Sequence, residues 1–424
     1  MRSPIPDYLD EVLTACSYDV GRDAGQVADY IPELAAANPD RFGVCLATVD
    51  GAFYSAGDAD AEFTIQSMSK PFVYALAIAD RGLDGVLAKV DVEPSGEAFN
   101  VISLEEESGR PENPMINAGA ILTHSLLDGA DDRERAERIR DLFSRSAGRQ
   151  LEMDEDVFTS EWNTSHRNLA MGHMLKAVGV LDGDPVEAVR GYVRQCAIKV
   201  TCADLAMMAG TLASGGVQPV TGEQVFSREQ TRQALSVMTT CGMYDAAGDW
   251  VTTVGIPAKS GVSGGILGAL PGQVGIAAFS PRLDEHGHSV RGVEVFERLS
   301  RDMGLHMMDV AAHHAATLRQ HYVTRDGASA VFRLQGSLRF AGTETVVREV
   351  SSTDFDEVTS QVVLDFTRVE DVDDVSRRML LEVLRRLALD GLEVQVVDPE
   401  GMLPDPDAGS GVRPVVLDAV PARD

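Results

Sequence analysis

The stretch FTIQSMSKPFVYALAIADRG, from Phe63 to Gly82, decides how the rest of the chain is read. Ser67 and Lys70 stand three residues apart, and Phe72, Val73, Leu76 and Ile78 follow with helical spacing. Pro71 has no backbone N–H and suits only the first turn of a helix, so the helix is predicted to begin close to Ser67. At i, i+3 the hydroxyl and the amine share one face, where a neutral lysine can take the hydroxyl proton. The helix N-terminus favours the negative charge developing on oxygen. Alone the pair is weak evidence. Chance yields Ser-x-x-Lys about 0.3 times in a chain of this composition, and a cap followed by a surface lysine is the simpler reading.

A second element changes the balance. VGIPAKSGVSGGILGALPG, from Val254 to Gly272, holds Lys259-Ser260-Gly261 at the head of an apolar, Gly-rich run. Such a triplet arises by chance only about 0.05 times. Both elements in this order form the pattern of the penicillin-recognising serine enzymes, where the triplet lies on a strand lining the site. The Ser-Asp-Asn element of that group is absent, so its substrate need not be shared. Lysine is also scarce: Lys70, Lys89, Lys176, Lys199 and Lys259 stand against 32 arginines. Lysine can lose its proton when desolvated and arginine effectively cannot, so the two lysines in these motifs gain weight as chemical groups.

The 424 residues carry a formal net charge of −29, with a pI near 4.6. That balance excludes non-specific binding to nucleic acid or to an anionic membrane, which needs a basic surface. With 44% hydrophobic and 24% charged residues the composition is globular, and the length suffices for two domains. The start, MRSPIPDYLDEVL, lacks an apolar signal region and no run of eighteen apolar residues occurs, so a cytoplasmic location is expected. Five cysteines without a C-x-x-C pair fit neither a disulfide framework nor a zinc cluster, and are expected to be reduced and mostly buried.

A large domain is expected over residues 8–316, with an early strand at FGVCLATVDG (Phe42 to Gly51) ending in an Asp-Gly turn. A polar linker is expected at 317–327, a small domain at 328–415 and a tail at 416–424. In the small domain AVFRLQGSLRF, QVVLDFTRV, MLLEVLRRLALDG and LEVQVVDPEG read as strand, strand, helix, strand. MLPDPDAGSGVRP and the acidic run VEDVDD (Val369 to Asp374) read as loops.

Eight segments in order carry a resemblance to the serine-dependent glutaminases: ADYIPELA, FTIQSMSKPF, EPSGEAFN, NPMINAGAI, SEWNTSHRNLAMG, YVRQCAIKVTCADLA, CGMYDAAGDW and PAKSGVSGGI. The resemblance covers essentially all of residues 8–312. The resemblance implies an α/β (α+β) fold, a β-lactamase- or penicillin-binding-like serine hydrolase domain, and hydrolysis of L-glutamine to L-glutamate and ammonia. Carried over residue by residue, it makes Ser67 the nucleophile and Lys70 its base. Asn117, Glu161, Asn168, Tyr192 and Tyr244 fall on substrate-contacting positions, with Tyr30 beside them. The backbone amides of Val262 and Ser67 fall where the family forms its oxyanion hole. Lys259 is left an electrostatic or structural role. No metal and no organic cofactor is implied, and a homo-oligomer, dimer or tetramer, is.

The residue types suit that chemistry. Glutamine brings an α-ammonium and an α-carboxylate, so a discriminating pocket needs an anion for one and donors for the other. Glu161 fits the first role; Asn117, Asn168 and Tyr30 fit the second. Ser67 would attack the amide carbon, Lys70 take its proton, and water cleave a γ-glutamyl ester. Either Tyr192 or Tyr244 could relay a proton to the leaving amine. Singly, each of these residues is more often a cap, a solvated face or packing, and only the shared motifs lift them. His166 and His173 lie near Glu161 without a further ligand and read as structural.

The C-terminal unit resembles the STAS domain through LQGSLRFAGTE (Leu334 to Glu344) and VVLDFTRVEDVDDVSRRMLLEVL (Val362 to Leu384). That implies a four-stranded sheet with helices. In antagonist members the turn before the helix reads Asp-Ser-Ser-Gly and carries a phosphorylated serine. Here Asp373, Asp374, Val375 and Ser376 occupy it, with Val375 at the acceptor position, so phosphorylation there is not expected. A docking or oligomer-stabilising role is favoured over a module that senses a nucleotide or a protein partner. Two rivals remain for the whole chain: another serine acyl hydrolase of the same fold, and a silent scaffold whose small domain is the working part.

Overall fold

The computed structural model describes residues 3–20, 24–94, 104–105, 108–309, 317–355, 357–403, 406–409 and 411–423. The chain divides into two compact units, one of Leu9–Arg298 and one of Met1–Tyr8 with Leu299–Asp424. Among the described residues, no helix is long and apolar enough to cross a membrane. All five cysteines are free and buried, as expected.

The strands of the larger unit are β1 (Gly43–Thr48), β2 (Phe53–Gly57), β3 (Phe63–Thr64), β4 (Lys199–Val200), β5 (Ala258–Ser260), β6 (Gly265–Leu270) and β7 (Val274–Phe279). Five form a sheet in the order β2-β1-β7-β6-β5, antiparallel throughout, while β3 and β4 pair separately. The expected turn joins β1 to β2, with Gly51 at φ 90°, a conformation costly for residues with a Cβ. Every residue of β1, β6 and β7 is buried, because helices cover the sheet. One of them, Cys202–Ala213, starts from a Thr201/Asp204 capping box and packs on β7, β1 and β6. A Cβ at Gly275 would stand 2.0 Å from the Gly210 nitrogen, so only glycine admits this approach of helix to strand.

The helix expected after Ser67 is present: a tight 3-10 turn, Gln66–Ser69, runs into the helix Lys70–Leu87, with Pro71 in its first turn. Phe72 and Tyr74 are fully buried, and Phe72 meets the Phe143 ring edge-on at 5.7 Å between centroids. Gly82, at φ 71°, breaks the helix where the opening motif ends.

In the smaller unit β8 (Leu318–Val323), β9 (Ser329–Leu338), β10 (Gln361–Val372), β11 (Glu393–Val397) and β12 (Val415–Val416) form one sheet in the order β12-β11-β10-β9-β8. The ladders from β9 to β12 are parallel and β8 joins antiparallel. The sheet thus has five strands rather than four. Residues 318–323, expected as linker, are its edge strand, and Val416, expected in the tail, is in β12. LRQHYV shows no clean alternation because an edge strand has one ladder, and none of its residues is fully buried.

Two further differences have local causes. The acidic run expected as a loop is instead the end of β10, Val369 to Val372, followed by the start of a helix at Asp373 and Asp374: Val369 and Val372 are buried, and a register shift between Val369 and Asp371 hides the period-two pattern. An additional helix, Phe340–Ser352, lies between β9 and β10. Its Thr, Val and Ser residues have weak helix propensity, and burial of Phe340, Val346, Val347 and Val350 overrides it. The helix Asp374–Leu389 starts from an Asp373 cap that accepts the Ser376 amide. Val375 is buried, which leaves the phospho-acceptor position of antagonist STAS domains with an inaccessible apolar side chain.

Candidate active site

Ser67 sits in the 3-10 turn and Lys70 opens the helix behind it, its amide donating to the Ser67 carbonyl. A buried polar chain holds this turn. The Ser69 hydroxyl donates to the Gln66 carbonyl at 2.7 Å, Gln195 Nε2 donates to Ser69 Oγ at 3.2 Å, and His124 Nδ1 meets Gln195 Oε1 at 2.8 Å. Burial lowers the His124 pKa to about 4, so the ring is neutral. Gln66 itself adopts φ 50°, one of two non-glycine residues among those described with positive φ. The other is Tyr244, at φ 53°, whose hydroxyl is hydrogen-bonded with the Ser67 side chain. Two strained residues thus flank the serine, where such strain is characteristic of functional sites.

Lys70 is fully buried, and its amine donates to the Met115 carbonyl at 2.9 Å and to Asn117 Oδ1 at 2.8 Å. Desolvation lowers its pKa to about 7. Asn113 fixes the Met115 carbonyl by accepting the amides of Met115 and Ile116. Asn117 opens the helix Asn117–Ser125, and its Oδ1 also accepts from Tyr192 at 3.1 Å, while its Nδ2 donates to Asn168 Oδ1 at 3.2 Å. Asn117, Asn168, Tyr192 and Lys70 are therefore one network. Burial raises the pKa values of Tyr192 and Tyr244 above the usual tyrosine value, so both keep their protons near neutrality.

Lys259, on β5, is also fully buried. Its amine donates to the Ser260 carbonyl and lies 3.8 Å from the centre of the Tyr244 ring. Desolvation, and then the proximity of Lys70, lower its pKa well below the usual lysine value. His288 stacks on Tyr244 at 5.9 Å, interplanar angle 9°. Its Nδ1 meets Ser260 Oγ at 2.8 Å and its Nε2 meets the Met243 carbonyl at 3.2 Å. The turn after β5 bonds Gly261 N–H to the Gly265 carbonyl and Gly264 N–H to the Gly261 carbonyl. The Val262 amide between them has no backbone acceptor among the described residues.

A second cluster surrounds Glu161, on the helix Glu155–Thr164. Tyr30 donates to its Oε1 at 2.8 Å and Gln66 Nε2 donates to the same oxygen at 3.1 Å. Desolvation raises the Glu161 pKa and these two hydrogen bonds oppose it. Tyr30, expected beside the carboxylate donors, is thus bonded to the residue read as the ammonium partner. Gln66 links the Glu161 cluster to Ser67 by one peptide, a role the sequence reading missed although Gln66 stands inside its first motif. His288 was also missed, because no sequence period ties it to Tyr244. His166 and His173 are exposed, and no group able to hold a metal ion occurs among the described residues. Residues 95–100 of the EPSGEAFN segment lie outside the described residues.

The glutaminase family model matches residues 25–308, and a STAS domain model matches residues 320–406. The chain belongs to the glutaminase family. It is 49% identical to a glutaminase of Corynebacterium glutamicum over 406 residues, 95% of this chain and 96% of that one. A glutaminase of Trichormus variabilis is 55% identical over 285 residues, 67% of this chain and 85% of that one. Among solved structures the chain is similar to Mglu, with a TM-score of 0.71 and 51% identity over 95% of this chain and 100% of that one. Mglu in its glutamate form aligns with a TM-score of 0.71 at 47% identity, again over 95% and 100%. The mixed α/β architecture is that of the glutaminases, with a STAS domain following, and the chain is an amidohydrolase of glutaminase type.

Proposed function

We propose that this glutaminase hydrolyses L-glutamine through a Ser67–Lys70 dyad and a γ-glutamyl ester on Ser67. The observation that carries the reading is the state of Lys70. A neutral amine has two protons and one lone pair, and both protons are used on Met115 O and Asn117 Oδ1. The lone pair is left for the serine proton, and a pKa near 7 keeps it substantially available at neutral pH.

The Ser67 proton passes to Lys70 as Oγ bonds to the δ-carbon of glutamine, and the amides of Ser67 and Val262 hold the oxyanion. On collapse the C–N bond breaks. Tyr244, next to Ser67, gives its proton to the leaving NH2 group and recovers one from the Lys70 ammonium, so ammonia departs and the dyad is reset. Water then attacks the ester with the same groups in reverse order, releasing glutamate. Glu161 takes the α-ammonium, and Asn117, Asn168 and Tyr30 flank the α-carboxylate. Mglu occurs in a glutamate form, and glutamate is the acid this hydrolysis yields. We read the smaller unit as a docking or oligomer-stabilising domain, a reading that buried Val375 favours over control by phosphorylation.

The test is ammonia release from L-glutamine by the full chain beside Ser67→Ala, with L-asparagine as the shorter amide. Loss of at least about 10⁴-fold in kcat is expected for Ser67→Ala. Hydrolysis surviving in that variant would remove Ser67 as the nucleophile.

A further inference from the structure

Tyr244 keeps φ 53°, a left-handed conformation that a bulky residue retains only where its surroundings fix it. Contacts able to do so come from one turn, residues 284–288, between β7 and the helix Val290–Met303. Two histidines of that turn engage three consecutive residues. His286 Nδ1 meets Asp245 Oδ2 at 3.1 Å, the His288 ring stacks on Tyr244, and His288 Nε2 meets the Met243 carbonyl, which also accepts the Ala246 amide.

The turn itself is closely specified. Asp284 Oδ1 accepts the amides of His286 and His288, each at 2.9 Å, and the Asp284 amide donates to the His288 carbonyl at 2.8 Å. Gly287, at φ 80°, donates to the Asp284 carbonyl at 3.1 Å. His288 is buried, and desolvation lowers its pKa to about 4, so the ring is neutral. A carbonyl only accepts, so the one ring proton is on Nε2 and is directed at Met243. Nδ1 is then an acceptor, and the Ser260 hydroxyl donates to it at 2.8 Å. His288 therefore ties the Tyr244 segment to β5, beside Lys259, whose amine also lies against the Tyr244 ring.

We infer that His288 is a positioning residue for the hydrolysis: its ring and its Nε2–H hold the segment from Met243 to Asp245 so that the Tyr244 hydroxyl stays on Ser67. It acts through Tyr244 and exchanges no proton with the substrate. The inference rests on the proton relay proposed for Tyr244, and a displacement of about 1 Å in such a group costs on the order of 10²-fold in rate.

The test is steady-state kinetics on L-glutamine with the full chain, in the parent and in a Tyr244→Phe background. His288→Phe keeps a flat ring against Tyr244 and removes the hydrogen bonds to Met243 and Ser260; kcat should fall about 10–100-fold with KM within about threefold. His288→Gln keeps an N–H for the Met243 carbonyl and should recover most of that loss. In Tyr244→Phe the hydroxyl to be positioned is gone, so His288→Phe should cost less than about twofold more. Asp284→Ala loosens the turn without altering a buried side chain and should show the same pattern at severalfold, which carries the test if His288→Phe fails to fold. Full kcat in folded His288→Phe or in Asp284→Ala, or the same loss in both backgrounds, would overturn the inference and leave the Tyr244 relay standing. Full kcat in Tyr244→Phe itself would remove the relay, and the inference with it.

Discussion

Lys70 Nζ stands 2.8 Å from Asn117 Oδ1, with a neutral amide where a carboxylate would be the simpler partner for a lysine. The choice matters for charge. A carboxylate here would hold the ammonium form, whereas the amide oxygen accepts a hydrogen bond from the amine without stabilising its positive charge to the same extent. Burial then dominates and brings the Lys70 pKa to about 7.

In the proposed mechanism Lys70 acts as the neutral base, so kcat/KM should rise with pH through a midpoint near 7 and fall about tenfold per unit well below it. Asn117→Asp places an anion beside Lys70, raises its pKa by about 1–3 units and moves the acid limb upward. A pH–rate profile of both proteins checks this, and an unmoved limb in the variant would argue that Lys70 is not the base.

The two tyrosines are expected to separate kinetically. Tyr244 is bonded with Ser67, so Tyr244→Phe should lower kcat by about 10²–10⁴-fold through the lost proton relay. Tyr192 reaches Asn117 instead, and Tyr192→Phe removes one neutral hydrogen bond, for less than about a tenfold loss. Steady-state kinetics of the pair decide the assignment, and the reverse order of effects would exchange the roles.

Glu161→Gln retains an oxygen for Tyr30 and Gln66 but removes the charge proposed to meet the substrate ammonium. KM for L-glutamine should rise about 10–100-fold with a much smaller change in kcat. An unchanged KM would place the ammonium elsewhere.

Acid should destabilise the fold through two buried histidines. Burial holds both His124 and His288 at about 4, against 6.5 when unfolded. Below pH 6.5 the unfolded chain binds protons that the folded chain refuses. The stability contributed by each neutral ring is therefore present above pH 6.5 and lost as pH falls from there toward 4, by a few kcal/mol apiece. Denaturant midpoints measured from pH 7 to 4.5 should decline, and His124→Gln should decline less steeply. Equal slopes in the two proteins would count against a buried neutral His124.

By itself the sequence determined the family and its approximate frame. Ser67, Lys70 and Pro71 specify a tight helix start because local sterics and a missing N–H act within four residues. The order of motifs fixed the glutaminase family, and Asp50-Gly51 announced the first hairpin. Where the pattern failed, a tertiary term had overridden a local one. LRQHYV becomes a strand by pairing with β9, the end of β10 hides its period behind a bulge, and Phe340–Ser352 is helical through burial despite poor propensity. Only the folded chain decided that Asn117 is the partner of Lys70, that Tyr244 is the tyrosine beside Ser67, and that His288 backs it. Those partners lie 47, 177 and 44 residues apart in the chain. Desolvation, which sets the Lys70 pKa, is a property of everything packed around the amine and belongs to no residue singly.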